Sequence, residues 1–376
     1  GGILKQCIHD GFGTQRFKEK LSGPEYIDKE MSELALEIEI SLLTYVTKII
    51  KNKNNFTLTL VTRLGIRQIE TEKIILATGC RERTAKQVAI HGTSPAGVLT
   101  AGTAQYYINI LGEMPTKKCV ILGSGDIGLI MARRITLEGG QVIGVYEAKS
   151  TPSGLTRNIV QCLEDFNIPL FLSHTVTKVF GRDRLEAVEI SKVDNKMQPL
   201  KGTEEIIACD ALILSVGLIP ENEIAESIGI KINPKTKGPV CDQTLMTSVE
   251  NVYCCGNALH VNDLVDYVSE SGEIAGQNAA KKEITNASEL AQITTNDKVM
   301  YTVPSQINFN KERRQITLYF RAADVYENQK LLIYCDDKII FTKKYNYLKP
   351  PEMERVEFDL SKAEKPTEIR VVLEDI

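Results

Sequence analysis

The stretch KKCVILGSGDIGLIMARRITLEGGQVIGVYE, residues 117–147, decides how the middle of this chain folds. Residues 118–122 are short, apolar and β-like, and Gly123, Gly125 and Gly128 follow as G-x-G-x-x-G. Residues 127–137 are helix formers, and Gly139-Gly140 ends them. A second apolar run, 142–146, is closed by Glu147. Strand, glycine turn, helix, strand and terminal acid together form a complete βαβ unit.

Each part has a physical reason. Gly123 allows a tight turn, Gly125 lets backbone approach a pyrophosphate, and Gly128 lets helix and strand pack closely. The helix start offers unpaired N–H groups and a positive dipole end. Glu147 is placed to take ribose hydroxyls and to repel a 2′-phosphate, which favours NAD(H) over NADP(H). Asp126 and Ile127, at the helix start, and Gly217, which ends the apolar run 210–217, complete the candidate NAD set.

The whole chain has 376 residues, enough for two or three domains. It is 43% apolar and 25% charged with a net charge of −4, which gives no reason to expect nucleic acid or an anionic membrane as partner. No apolar run approaches the about 18–20 residues of a spanning helix, and the first residues do not read as a signal peptide. The nine cysteines are scattered without a CxxC, and the four histidines (9, 91, 174 and 260) stand apart. These patterns predict reduced thiols in a cytoplasmic protein and no metal site.

Three further signals flank the central unit. Residues 74–79 form an apolar run ending in Thr78-Gly79. The run 210–217 leads into Leu-Ile-Pro220-Glu-Asn222. Thr247 precedes an apolar run, 252–255, then Gly256-Asn257, then a helix-like segment over about 263–282.

In this order the four signals resemble the two-dinucleotide-domain flavoproteins of the pyridine nucleotide-disulfide oxidoreductase superfamily, over residues 1 to about 285. GGILKQCIHDGFG, ATGCRERT, SPAGVLTAGTAQ and GNALHVNDLVDYVSESGEIAG are similar to one branch. That branch comprises FAD-dependent oxidoreductases associated with anaerobic glycerol-3-phosphate dehydrogenase, the flavin subunits of hydrogen cyanide synthase and the α chain of sarcosine oxidase. The resemblance implies FAD and NAD as cofactors, with Gly1, Gly2, Thr78, Gly79, Gly256 and Asn257 on the FAD side. Asn257 stands where the superfamily usually has Asp; a neutral amide still accepts from a ribityl hydroxyl.

In such proteins Gly-Gly follows the second strand of the FAD unit, so the chain reads as N-terminally truncated by roughly 30 residues. Disulfide reductases of this superfamily carry two cysteines five apart just after Gly-Gly. Here Cys7 is followed at that distance by Phe12, so no dithiol relay forms in this segment. Cys7 is a packing residue or a nucleophile; His9 is a structural histidine or a polar group beside flavin or substrate, and is the one candidate catalytic residue.

The expected fold class is α/β: two Rossmann-like FAD/NAD(P)-binding domains, the first incomplete, and a small C-terminal all-β domain. The boundaries read as 1–99 (FAD, first part), 100–216 (NAD), 217–285 (FAD, second part), 286–296 (linker) and 297–376 (β-sandwich). Helix is expected over about 25–36, a β-meander over 44–68, and a hairpin turn at Asp336-Asp337. The last domain either docks a partner protein or forms a lid on the flavoprotein.

The function implied is hydride transfer between NAD(H) and FAD, with electrons passed to or from a partner flavoprotein or iron–sulfur protein. Two alternatives stay open. One is an FAD dehydrogenase or oxidase acting on an amine or glycerol phosphate; the other is a non-catalytic nucleotide-binding subunit. Homo-oligomer formation is also open.

Overall fold

The computed structural model describes residues 2–281, 289–361 and 368–376. They fall into two compact units. The first comprises 2–14, 18–33 and 81–219; the second comprises 15–17, 34–80 and the described residues from 220 onward.

The first unit is built on a parallel five-stranded sheet. Its order is Leu170–Leu172, Gln141–Glu147, Lys118–Leu122, Ala211–Leu214 and Val98–Thr100. The register pairs Cys119 with Ala211 and Leu122 with Leu214. Central strands read as unbroken apolar runs because both faces are covered. Alternate residues point to opposite faces. Cys119 and Ile121 enter a core shared with the helices Asp126–Leu137 and Ala101–Tyr106. Val120 and Leu122 enter a second core. That core is shared with an antiparallel meander of His174–Phe180, Ala187–Lys192 and Glu205–Ala208. The result is three layers, with the ends of the parallel strands at the glycine loop.

The second unit combines three parts. Tyr45–Lys51, Phe56–Thr62 and Gly65–Thr71 form an antiparallel meander. Ile74–Leu76 pairs in parallel with Val252–Cys254, and the helix Val265–Ala280 packs beside them. The third part is a β-sandwich. One sheet has the order Gln306–Asn308, Leu290–Thr295, Glu368–Asp375, Tyr326–Cys335, Lys338–Leu348; the other has Val299–Val303, Gln315–Ala322, Glu354–Asp359. Ile316, Leu318 and Phe320 meet Leu331, Ile333, Ile369 and Val371 in the core between the sheets. Tyr301, Val303, Tyr319 and Met353 instead join the core around the parallel pair.

The units differ from the sequence expectation in several places. Residues 81–99 and 217–219 join the nucleotide unit, and the sandwich falls in the same unit as 34–80. Residues 2–14 and 18–33 also cluster with the nucleotide unit rather than with the FAD segment. The reason is packing on the 101–111 helix: Gln6 Nε2 donates to Gly102 O at 2.9 Å, and Asn109 Nδ2 donates to Gln6 O at 2.7 Å. The expected linker, 286–296, contains a strand, Leu290–Thr295, paired on both sides. Its polar alternation, with Ala291 buried, had hidden it. Residues 282–288 lie outside the described residues.

Candidate functional site

The glycine loop is shaped by a residue outside the motif. A Cβ on Gly123 would lie 2.1 Å from Ser215 O, one on Gly128 2.6 Å from Ser215 Cβ, and one on Gly125 3.2 Å from Ser215 Oγ. Gly123 also has φ +94°, a region that L side chains rarely adopt. Ser215 Oγ accepts from Gly128 N–H at 3.0 Å. Gly123 and Gly128 are therefore required by close approach to the strand end at Ser215, before any ligand is considered, and Gly125 is in tight contact with the Ser215 hydroxyl. No sequence signal marked Ser215 beyond its place in the apolar run.

The helix Asp126–Leu137 starts at Gly125 without a side-chain cap. The amides of Asp126 and Ile127 lie in the first turn and have no intrahelical acceptor. A cradle of glycines against open first-turn amides fits a pyrophosphate. The Asp126 carboxylate is engaged elsewhere: its Oδ1 accepts from Leu155 N–H at 2.9 Å and from Asn158 Nδ2 at 2.6 Å. Ile127 packs against the helix-side core, and Gly217, at φ +96°, accepts from Arg83 N–H at 3.1 Å.

Glu147 closes the second strand and is 6% exposed. Its Oε2 accepts from Ser124 N–H at 3.0 Å, Ser124 Oγ at 2.6 Å and Ser153 Oγ at 3.1 Å. Its Oε1 accepts from Lys149 N–H at 3.0 Å. The carboxylate is thus held between the glycine loop and the segment that follows it, and Oε1 is the oxygen with capacity left for a ribose hydroxyl. Ser124 and Ser153 are neighbours of Glu147 that motif reading missed, because serine carries no fingerprint.

In the second unit, Thr78 Oγ1 donates to Glu221 O at 2.6 Å, and Gly79, at φ +72°, accepts at its carbonyl from Glu221 N–H at 2.9 Å. Gly256 N–H donates to Ser271 Oγ at 2.8 Å. Asn257 Oδ1 accepts from Asn262 N–H at 3.0 Å and Asn262 Nδ2 at 3.3 Å. Both its lone pairs are in use within the loop. Asn262 Oδ1 is buried without a donor, and so is Asn222 Oδ1, whose Nδ2 donates to Ala258 O at 2.8 Å. Buried acceptors without donors are costly. A hydroxyl-bearing ligand such as a ribityl chain fits this loop.

Gly2 and His9 belong to the first unit, while Thr78, Gly79, Gly256 and Asn257 belong to the second; Gly1 lies outside the described residues. His9 lines a cavity of about 130 Å³ with Ile8, Asn109, Ile130, Arg133, Arg134 and Leu137. Burial holds its pKa below the ordinary value, with Asp10 opposing. Cys7 is 4% exposed and burial pushes its thiol up to about 11, the environment of a packing residue. Among the described residues no three His, Cys, Asp or Glu are placed to hold a metal ion, and no helix is long and apolar enough to cross a membrane.

The chain is 26% identical over 238 residues to the CoA-dependent NAD(P)H sulfur oxidoreductase of Pyrococcus abyssi, covering 58% of this chain and 50% of that protein. It is 27% identical over 183 residues to the HcnB subunit of hydrogen cyanide synthase from Pseudomonas protegens, covering 45% and 38%. It is 22% identical over 226 residues to an opine oxidase subunit of Agrobacterium tumefaciens, covering 57% and 43%. The chain thus spans half or less of the length of these relatives. The thioredoxin reductase of T. acidophilum shares the fold, with a TM-score of 0.61 at 20% identity, over 74% of this chain and 86% of that one. The profile of one family matches residues 5–281, well over half of the sequence, and the chain therefore belongs to the pyridine nucleotide-disulphide oxidoreductase family.

Proposed function

We propose that this chain is part of an oxidoreductase that moves hydride between NAD(H) and FAD, the cofactors of its family, and exchanges electrons with a partner redox protein. The observation that carries the reading is the glycine loop built against Ser215, with Glu147 at the adjoining strand end. When bound, the flavin supplies the hydride-accepting chemistry. The chain's residues bind and orient. Amides at 126–127 face the phosphates, Glu147 Oε1 takes a ribose hydroxyl, and Asn262 and Asn222 accept hydroxyls on the flavin side.

The names of two relatives describe subunits, which supports a partner chain, and the family resemblance makes a flavoprotein or iron–sulfur protein the partner proposed. Nine free thiols support a reducing, cytoplasmic setting. The test is anaerobic titration of the full-length protein with NADH. Stoichiometric bleaching of the flavin band supports the reading. Reduction by an amine or glycerol phosphate but not by NADH would favour a direct substrate dehydrogenase instead.

A further inference from the structure

The C-terminal sandwich lies beyond the family match, and Arg321 ties it to the asparagine loop. Arg321 stands on the strand Gln315–Ala322 with its side chain 12% exposed. Its Nε donates to Tyr301 Oη at 2.9 Å. Nη1 donates to Pro351 O at 2.6 Å, Pro350 O at 3.2 Å and Asp263 Oδ2 at 3.2 Å. Nη2 donates to Val261 O at 3.2 Å and to Asp263 Oδ1. The guanidinium has five N–H donors. Six protein acceptors engage them, and no donor remains for a ligand.

The loop side of this contact leads back to the flavin-side residues. Asp263 Oδ2 also accepts from Met353 N–H at 2.6 Å. Asn262, between Val261 and Asp263, donates to Asn257 Oδ1 and to His260 O, and its own Oδ1 is the unmet acceptor. His260 is 1% exposed and packs between Tyr301 and Tyr319 of the sandwich, with ring centroids at 6.2 and 5.4 Å. A second tie, Arg355 to Glu270, holds the helix Val265–Ala280 and not the loop.

We propose that Arg321 is a positioning residue through which the C-terminal sandwich sets the loop 256–264, and with it the hydroxyl acceptors that hold FAD. The assignment rests on the flavin reading given above. A planar, bidentate cation held by a carboxylate and by partly buried carbonyls fixes a loop more strictly than apolar packing does. The sandwich is then part of the cofactor site through its effect on that loop, without touching the ligand.

The experiment compares full-length wild type, Arg321→Gln, Arg321→Lys, Asp263→Asn and Arg355→Gln. Hydrogen exchange of the 256–264 peptide and FAD dissociation are measured in each. Arg321→Gln is expected to speed exchange in 256–264 and to weaken FAD about tenfold. Asp263→Asn, the milder change should Arg321→Gln fail to fold, is expected to do the same to a smaller extent. Arg321→Lys should recover only part of the loss, and Arg355→Gln should leave FAD binding within about twofold. Unchanged exchange at 256–264 in Arg321→Gln and Asp263→Asn overturns the positioning role. Faster exchange with unchanged FAD affinity overturns it too, leaving Arg321 a structural tie only. Wild type that takes up no FAD overturns the flavin reading itself, a result distinct from both.

Discussion

Ser215 touches all three fingerprint glycines, so one added methyl has a defined outcome. Gly128→Ala sets a Cβ 2.6 Å from Ser215 Cβ and 2.9 Å from Gly123 O. Overpacking of that kind costs about 1–3 kcal/mol. We expect a lower melting temperature and NADH binding weakened about tenfold or more, read by calorimetric titration. Glu147 is held by four donors, two from Ser124 of the glycine loop and two from the segment that follows it, so a 2′-phosphate meets a fixed like charge. Wild type should bind NADH more tightly than NADPH, and Glu147→Gln should narrow that ratio severalfold; equal affinities in wild type would refute the role of Glu147. His260 titrates in a different way. Burial first, and then Arg321, lower its pKa from 6.5 to about 3, with Tyr301 and Tyr319 as its aromatic neighbours. The folded state therefore holds the neutral ring, and the unfolded state takes up the proton first. Stability is unaffected by His260 above about pH 6.5 and declines as pH falls from there toward about 3. Denaturant melts across that range should show a shallower acid decline in His260→Leu.

At the scale of elements, the helix Asp126–Leu137 and the helix Thr156–Cys162 are joined through one side chain. Asp126 Oδ1 receives Leu155 N–H and Asn158 Nδ2, which anchors the start of the second helix over the glycine loop. Asp126→Ala should loosen residues 149–158, and tryptic cleavage after Lys149 and Arg157 is the measurement. In the sandwich, Phe320 is 0% exposed between its two sheets. Phe320→Ala should cost about 3–5 kcal/mol, seen as a fall in the denaturation midpoint. Elements with strong periodic patterns were legible beforehand. The strand Lys118–Leu122, the meander and the hairpin at Asp336-Asp337 stand where the sequence predicts them. The helix Gly23–Ser32 ends short of its expected limit, because the apolar alternation after it does not follow a helical period. The strand Leu290–Thr295 was unreadable, since its stability comes from two long-range ladders and not from its own composition.

At the scale of the whole molecule, the nucleotide fingerprint and the asparagine loop belong to different units, and each was visible as a short motif. A motif is legible when its geometry is local: Gly123, Gly125, Gly128 and Glu147 lie within one βαβ unit, and their spacing alone dictates turn, helix start and strand end. The order of four such motifs, with the switch to period-two alternation near the end, was enough for the family and the α/β-plus-β architecture. What the sequence could not contain are contacts closed across long separations. Ser215 is recruited to the glycine loop by a strand pairing, and Arg321 to Asp263 by the seating of one sheet on a loop. Those residues are common types in undistinguished contexts. Only tertiary packing brings a serine hydroxyl to an unpaired amide, or a guanidinium to a carboxylate and carbonyls of a distant loop, and only there does lost solvation make the contact specific. For the same reason Asn257, conspicuous in sequence, has its acceptor engaged, while its neighbour Asn262 is left with the open one.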